Sequence, residues 1–207
     1  MDVLVTGASR GIGRACAVAF AEVGHRVTAV ARSEVQLRDL QAAHPTLVPL
    51  VADLTRTAVT GTYDVVVLNA GDYAPGGLLD AERDVLSELL PLNVLANHRL
   101  GRALLPPMVA RGRGHLVVIG SSATDAAPGH MGAYAVTKRW LRVLFEGWAA
   151  EVEGTGVHCT LVAPGATLTS SWAGEEPPAR ILRPEQVAQC VYRAVAEGRT
   201  GRLTLQP

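Results

Sequence analysis

The sequence predicts an α/β protein: a doubly wound parallel sheet of about seven strands with helices on both faces. Three observations carry that reading. Short β-branched runs alternate with longer stretches of helical periodicity. The strand runs are nearly continuous in apolar character, as expected where both faces of a sheet are covered. The first run passes straight into a glycine turn and then a helix.

The elements follow in order. A first strand is read at 3–6 (VLVT), and a helix over 14–23 ends at Gly24, a residue suited to closing a helix in the left-handed region. The second strand, 26–31 (RVTAVA), leads into a helix over 33–43 that opens with Ser33-Glu34-Val35-Gln36, the pattern of a capping box. Strands at 47–51 (LVPLV) and 64–68 (DVVVL) come next. Two long helices, near 81–110 and 131–153, flank a fifth strand at 115–120 (HLVVIG). A sixth strand at 157–162 (VHCTLV), a helix over 184–197 entered through Pro184, and a strand at 202–205 complete the set. The stretch 166–183 is rich in Thr, Ser, Pro and Gly and lies where a substrate loop would sit. No repeat or linker divides 1–207, which reads as a single domain.

Composition narrows the function classes. Hydrophobic residues make up 48% and charged residues 18% of 207 positions, too apolar for disorder. Lys+Arg and Asp+Glu are equal at 19 each, so no basic surface points to nucleic acid. Cys16, Cys159 and Cys190 are far apart and without C-x-x-C spacing, which fits small buried hydrophobes in a reducing compartment. No apolar run reaches ~18 residues, and the N-terminus lacks the features of a secretory signal. The expectation is a cytoplasmic protein with no membrane and no nucleic-acid partner.

The turn Thr6-Gly7-Ala8-Ser9-Arg10-Gly11-Ile12-Gly13 sits between a strand and a helix start. Glycine lets backbone approach a pyrophosphate, and the free N–H groups of a helix start carry partial positive charge. At the end of the second strand, where dinucleotide sites of this class separate NAD from NADP, the sequence reads Ala31-Arg32-Ser33. Arg32 suits a 2′-phosphate, and Arg10 offers a second cation. Glu34, the rival ribose ligand, reads better as a first-turn helix acid. The expected cofactor is NADP(H), with NAD(H) as the alternative.

Lys138 is the single lysine of the chain, and Tyr134 lies four residues before it on a predicted helix, hence on the same face. A phenol titrates near pH 10. An ammonium ~4 Å away would lower that by about three units, enough for proton transfer near neutrality. Ser121 follows the fifth strand, where sheets of this class build their sites. Asn69 ends the fourth strand, and Asn93 stands inside a predicted helix, where asparagine is mildly unfavourable and a tertiary role is expected. Asn97, one turn on, reads as solvated.

These motifs resemble the short-chain dehydrogenase/reductase family over nearly the whole length, in the compact branch that includes the 3-ketoacyl-acyl-carrier-protein reductases. "TGASRGIG" (6–13) resembles the family's cofactor loop, and "ADL" its strand-end acid, Asp53, followed by Leu54. "NAG" is Asn69, Ala70 and Gly71. "PGATLT" resembles the segment that holds the nicotinamide carboxamide, with Pro164, Gly165 and Thr167, and with Thr169 placed to contact phosphate. The resemblance implies a Rossmann-type fold and a tetrad. Tyr134 would be the general acid/base, Lys138 would bind the ribose and lower the pKa of Tyr134, Ser121 would hold the reacting oxygen, and Asn93 would position a water. It selects Ser121 over Ser122 through the 13-residue step to Tyr134. It also implies hydride transfer between nicotinamide and a small-molecule carbonyl or alcohol.

The sequence departs from that pattern in being shorter. Residues 54–68 leave no room for the usual full helix, so a loop is expected near 55–63, and the segment after Thr169 is brief. Tyr73, His130, Met131 and Trp172 flank the motifs and are candidates for the substrate pocket. No metal is expected. The two long helices are expected to form a homodimer or homotetramer contact, with Leu100, Leu104, Trp140, Leu144 and Trp148 as spare apolar residues.

Overall fold

The computed structural model describes residues 1–126, 128–172 and 176–207. Seven strands form one all-parallel sheet: β1 (Asp2–Thr6), β2 (Arg26–Ala31), β3 (Leu47–Val51), β4 (Val65–Leu68), β5 (Gly114–Ile119), β6 (Val157–Pro164) and β7 (Gly201–Leu205). Their order is β3-β2-β1-β4-β5-β6-β7, so the chain winds outward one way from β1 and then the other way from β4. That reversal leaves a crevice above the carboxyl ends of β1 and β4, where sheets of this kind bind ligands.

Successive side chains along a strand point to opposite faces. Val3, Val5, Val65, Val67, Val117 and Ile119 meet α1 (Gly11–Glu22), α2 (Glu34–Ala43) and α6 (Pro184–Ala196) through Phe20, Leu37 and Val191. Leu4, Val66, Leu68, Leu116 and Val118 pack on the other face against α4 (Asn97–Arg111) and α5 (Gly132–Glu151). The capping expectation at α2 holds in its forward half, since Ser33 Oγ accepts from Gln36 N–H at 3.4 Å.

The predicted helix over 81–110 is corrected. It begins as α3 (Val85–Leu90), capped by Asp84, whose carboxylate accepts from Ser87 N–H at 3.0 Å. A π-helical stretch over Pro91–Ala96 then joins it to α4. Pro91 brings no N–H to the ladder, and wide turns of this type often accompany functional sites.

No helix lies between β3 and β4, as the short 54–68 segment requires. Leu54 and Val59 fill that part of the core instead, with Tyr63 packed alongside. Two arginines of α4 take the carbonyls a helix would have satisfied internally. Arg99 donates to Leu54 O and Thr55 O at 3.0 Å each, and Arg111 donates to Tyr63 O at 2.6 Å.

The spare apolar face is largely corrected too. Leu100, Leu104 and Trp148 are buried in the chain's own core and Leu144 packs against it, because the sheet needs that cover. Trp140 and Val143 are the large apolar residues that α5 leaves exposed.

Candidate active site

A cavity of about 760 Å³ runs along the carboxyl edge of the sheet. Its floor is the glycine turn. Gly7 adopts φ +67°, and a Cβ there would come within 2.8 Å of Asn69 Nδ2. At Gly13 a Cβ would lie 2.3 Å from the Gly7 carbonyl oxygen, which as backbone cannot yield. These glycines therefore let α1 start directly against β1. Arg10 caps α1 without a side-chain hydrogen bond, and the first turn carries no acid. The helix start thus keeps its N–H groups and positive pole for an external anion.

Asn69 fastens this floor. Its Nδ2 donates to Thr6 O at 3.0 Å and Gly7 O at 3.4 Å, and its N–H donates to Thr6 Oγ1 at 2.9 Å. Thr6 Oγ1 also accepts from Ala70 N–H at 3.0 Å. Thr6 is fully buried, and sequence reasoning passed over its role. A hydroxyl closing an apolar strand just before glycine was the signal available. Asp53 and Leu54 follow β3 and line the cavity. Thr55, through its hydroxyl and its N–H, holds the Asp53 carboxyl below the usual range, with Arg56 and Arg32 adding to it.

The candidate catalytic groups converge from separate elements. Ser121 follows β5 and caps a 3-10 turn over Ser122–Thr124, its Oγ accepting from Ala123 N–H at 3.1 Å. That leaves its proton to be donated, and it hydrogen-bonds the Tyr134 phenol. α5 places Lys138 one turn beyond Tyr134, with Nζ 5.7 Å from the ring centre and donating to Ile119 O at 3.1 Å.

Asn93 sits in the π-helical stretch, fully buried. Its Oδ1 accepts from Asp72 N–H at 2.8 Å, while Nδ2 donates to Asp72 O at 2.9 Å and Thr137 Oγ1 at 3.1 Å. Asn97 is not solvated as expected. It is 1% exposed, and its Nδ2 reaches Ala70 O, Leu92 O and Asn93 O at 3.1–3.2 Å. The wide turn leaves carbonyls without regular helical partners, and this amide collects two of them.

The expected electrostatics are corrected as well. Burial pushes the Tyr134 phenol up to about 12, against the Ser121 hydrogen bond that pulls it down. Burial alone brings the Lys138 ammonium down to about 8. With Nζ beside the ring and turned to Ile119 O, desolvation outweighs attraction between the two groups.

Of the residues expected at the site, Gly13 and Asn93 stand behind the cavity wall, and the rest line it. Arg10 and Arg32 stand at its rim, and Tyr73, His130, Met131 and Trp172 line the same space as Tyr134. The Tyr73 ring meets Tyr134 edge-on, centres 5.2 Å apart at 83°. Trp172 Nε1 donates to Thr167 O at 2.9 Å, pinning the indole to the segment after β6. Thr169 roofs the glycine turn, its Cγ2 3.2 Å from where a Gly11 Cβ would be. Of the expected substrate loop 166–183, residues 173–175 lie outside the described residues. Asp72, Glu88 and Ser171 also line the cavity and were not singled out in the sequence. No helix among the described residues is long and apolar enough to cross a membrane.

The pattern described as "short chain dehydrogenase" matches residues 2–179. An "uncharacterized oxidoreductase" of Myxococcus xanthus is 36% identical over 180 residues, 78% of this chain and 70% of that protein. Dehydrogenase/reductase SDR family member 7B of Danio rerio is 30% identical over 189 residues, covering 81% of this chain; the aligned region spans 61% of that relative's length. Among solved structures, a short-chain dehydrogenase from Sphingobium yanoikuyae in complex with NADPH superposes with TM-score 0.88 at 29% identity, covering 100% of this chain and 87% of the other. One from Streptomyces avermitilis gives 0.86 at 33% identity, covering 99% and 88%.

Proposed function

The chain belongs to the short-chain dehydrogenase family, a family of NAD(P)-dependent oxidoreductases, and from that premise we propose that it is an NADPH-dependent carbonyl reductase, or alcohol dehydrogenase in reverse. The observation that carries this reading is the convergence of Ser121, Tyr134 and Lys138 on one cavity whose floor is the glycine turn.

The cradle fits a nicotinamide dinucleotide. Gly7 and Gly13 let α1 start directly against β1, Gly11 lines the cavity without a Cβ, and the α1 start offers a pyrophosphate uncapped N–H groups. Arg10 and Arg32 are cations for a 2′-phosphate, and Pro164, Gly165, Thr167 and Thr169 form the opposite wall. Bound there, the nicotinamide supplies or accepts the hydride.

The remaining chemistry belongs to the chain. In the reductive direction Tyr134 gives its proton to the substrate oxygen; in the oxidative direction it removes one from the hydroxyl. Ser121 donates its remaining O–H toward the same oxygen. Lys138, held by one hydrogen bond to Ile119 O, keeps further N–H donors for a ribose hydroxyl and for stabilising charge on Tyr134. Asn93 clamps the backbone at Asp72 and thereby fixes the wall beside Gly71. Tyr73, His130, Met131 and Trp172 would contact a small carbonyl or alcohol.

The same reading makes the chain a homodimer or homotetramer through α4 and α5, supported by exposed Trp140, Val143, Leu95 and Val109. A cytoplasmic location accords with three free cysteines. The functional test is steady-state oxidation of NADPH and NADH with a panel of aldehydes and ketones. Turnover with NADPH at least tenfold better in kcat/KM is expected. Stoichiometric nucleotide binding with no turnover across the panel would instead make the chain a nucleotide-binding sensor.

A further inference from the structure

We propose that Asp72 sets the strength of NADPH preference by competing with the nucleotide's 2′-phosphate for Arg32. The inference rests on the cofactor reading above and adds to it a residue that opposes it. Arg32 follows the end of β2, and Asp72 lies just beyond the end of β4. β1 runs between those two strands, so a bond from one to the other spans two strand spacings, ~10 Å. The Arg32–Asp72 ion pair, 3.9 Å from Nη2 to Oδ2, therefore crosses above the carboxyl end of β1, where the glycine turn begins. Both residues line the cofactor cavity.

The two halves of the pair differ in freedom. Asn93 holds Asp72 at both its N–H and its C=O, so the stem of this carboxylate is fixed. The Arg32 side chain is 66% exposed and long, so it is the partner that moves. Among the described residues the other carboxylate that interacts with Arg32 is Asp53, which is already engaged by Thr55 N–H and Oγ1 at 2.9 and 2.7 Å and by Arg56 at 3.9 Å. Asp72 is thus the less committed acid beside the guanidinium.

A phosphate monoester carries close to two negative charges and accepts two parallel hydrogen bonds from a guanidinium. It displaces a carboxylate held at 3.9 Å. Binding a dinucleotide with a 2′-phosphate then costs the Arg32–Asp72 pair. A dinucleotide with a 2′-hydroxyl leaves Arg32 on Asp72. The carboxylate lowers affinity for the phosphorylated cofactor alone, and cofactor choice is weaker than two rim arginines would otherwise give.

The test titrates NADPH and NADH against wild type, Asp72→Asn, Arg32→Ala and the double variant. An exposed pair of this kind corresponds to a change of up to about fivefold. Asp72→Asn, and Asp72→Ala alongside it, should lower the NADPH Kd about three- to fivefold at low salt, with the gain shrinking as salt screens the charges. The NADH Kd should shift by less than half of that factor. In the Arg32→Ala background the Asp72 substitution should leave NADPH affinity where it was. The proposal is overturned if Asp72→Asn leaves or weakens NADPH binding, or if its gain survives without Arg32. If wild type binds NADPH but Arg32→Ala does not weaken it, this proposal falls while the reductase reading stands. If wild type binds neither nucleotide, both fall.

Discussion

The glycine turn at 7–13 and the helix α5 face each other across one cavity and are built on opposite terms. In the turn, the missing side chains make the site: Gly7 and Gly13 let backbone lie against backbone. In α5 the site is made of what side chains bury, with Lys138 5% exposed and Tyr134 packed against Tyr73. α5 also carries glycine, but a Cβ at Gly147 would meet nothing within 4 Å. One half of the site is closed to added atoms at Gly7 and Gly13, while the other is expected to be sensitive to a changed functional group.

The largest effect expected from breaking that contrast is chemical. Tyr134→Phe keeps the ring and its packing and removes the proton, so kcat should fall ~10³-fold, within the range for general acid–base catalysis. NADPH Kd, measured by titration, should move little; equal loss of both would make the hydroxyl a structural group. Next comes the steric counterpart. Gly13→Ala drives a methyl into the Gly7 carbonyl oxygen and should cost about 2–3 kcal/mol by chemical denaturation, with NADPH binding weakened alongside. Unchanged stability would show that the turn can relax.

Lys138→Arg keeps the charge and should still lower kcat ~100-fold. A planar guanidinium cannot reproduce a compact ammonium held under Ile119 O in a space this small. Near-wild-type kcat with intact cofactor affinity would assign Lys138 to packing. The same residue sets a pH limit. Its ammonium is brought down to about 8, so reductive turnover should decline as pH rises through that value, and a flat profile to pH 9 would oppose the role.

Burial without catalysis is tested at the far end of β5. His115 is brought down to about 4 by burial, with His158 adding to it. Its Nε2 meets Thr160 Oγ1 at 2.8 Å, and its Nδ1 is buried without a partner. The unfolded histidine binds its proton near pH 6.5 and the folded one near 4, so the unfolded state holds more protons in between. Stability should therefore fall as pH drops from 6.5 to 4, by about 3 kcal/mol. His115→Gln should flatten that slope in thermal unfolding. The smallest effect is a gain: Gly147→Ala, exposed inside α5, should stabilise by about 0.5–1 kcal/mol.

The strand–helix alternation, the glycine turn, the missing crossover helix and the Tyr134–Lys138 pair were all legible along the chain. Each of these is a local matter. Strand and helix periods, left-handed glycines and an i, i+4 step are set by neighbours a few residues apart. Tertiary structure alone decided what lies between distant segments. It turned Leu100, Leu104 and Trp148 inward, because the sheet face they cover is visible only once the strands are ordered. It buried Asn97 over carbonyls that a π-helical turn freed, and it gave Arg99 and Arg111 the work of an absent helix. It raised the Tyr134 phenol where charge arithmetic at an assumed ~4 Å lowered it, because desolvation depends on every element packed around a group. And it stretched Arg32 to Asp72 over β1, a contact between residues forty positions apart that no local pattern encodes.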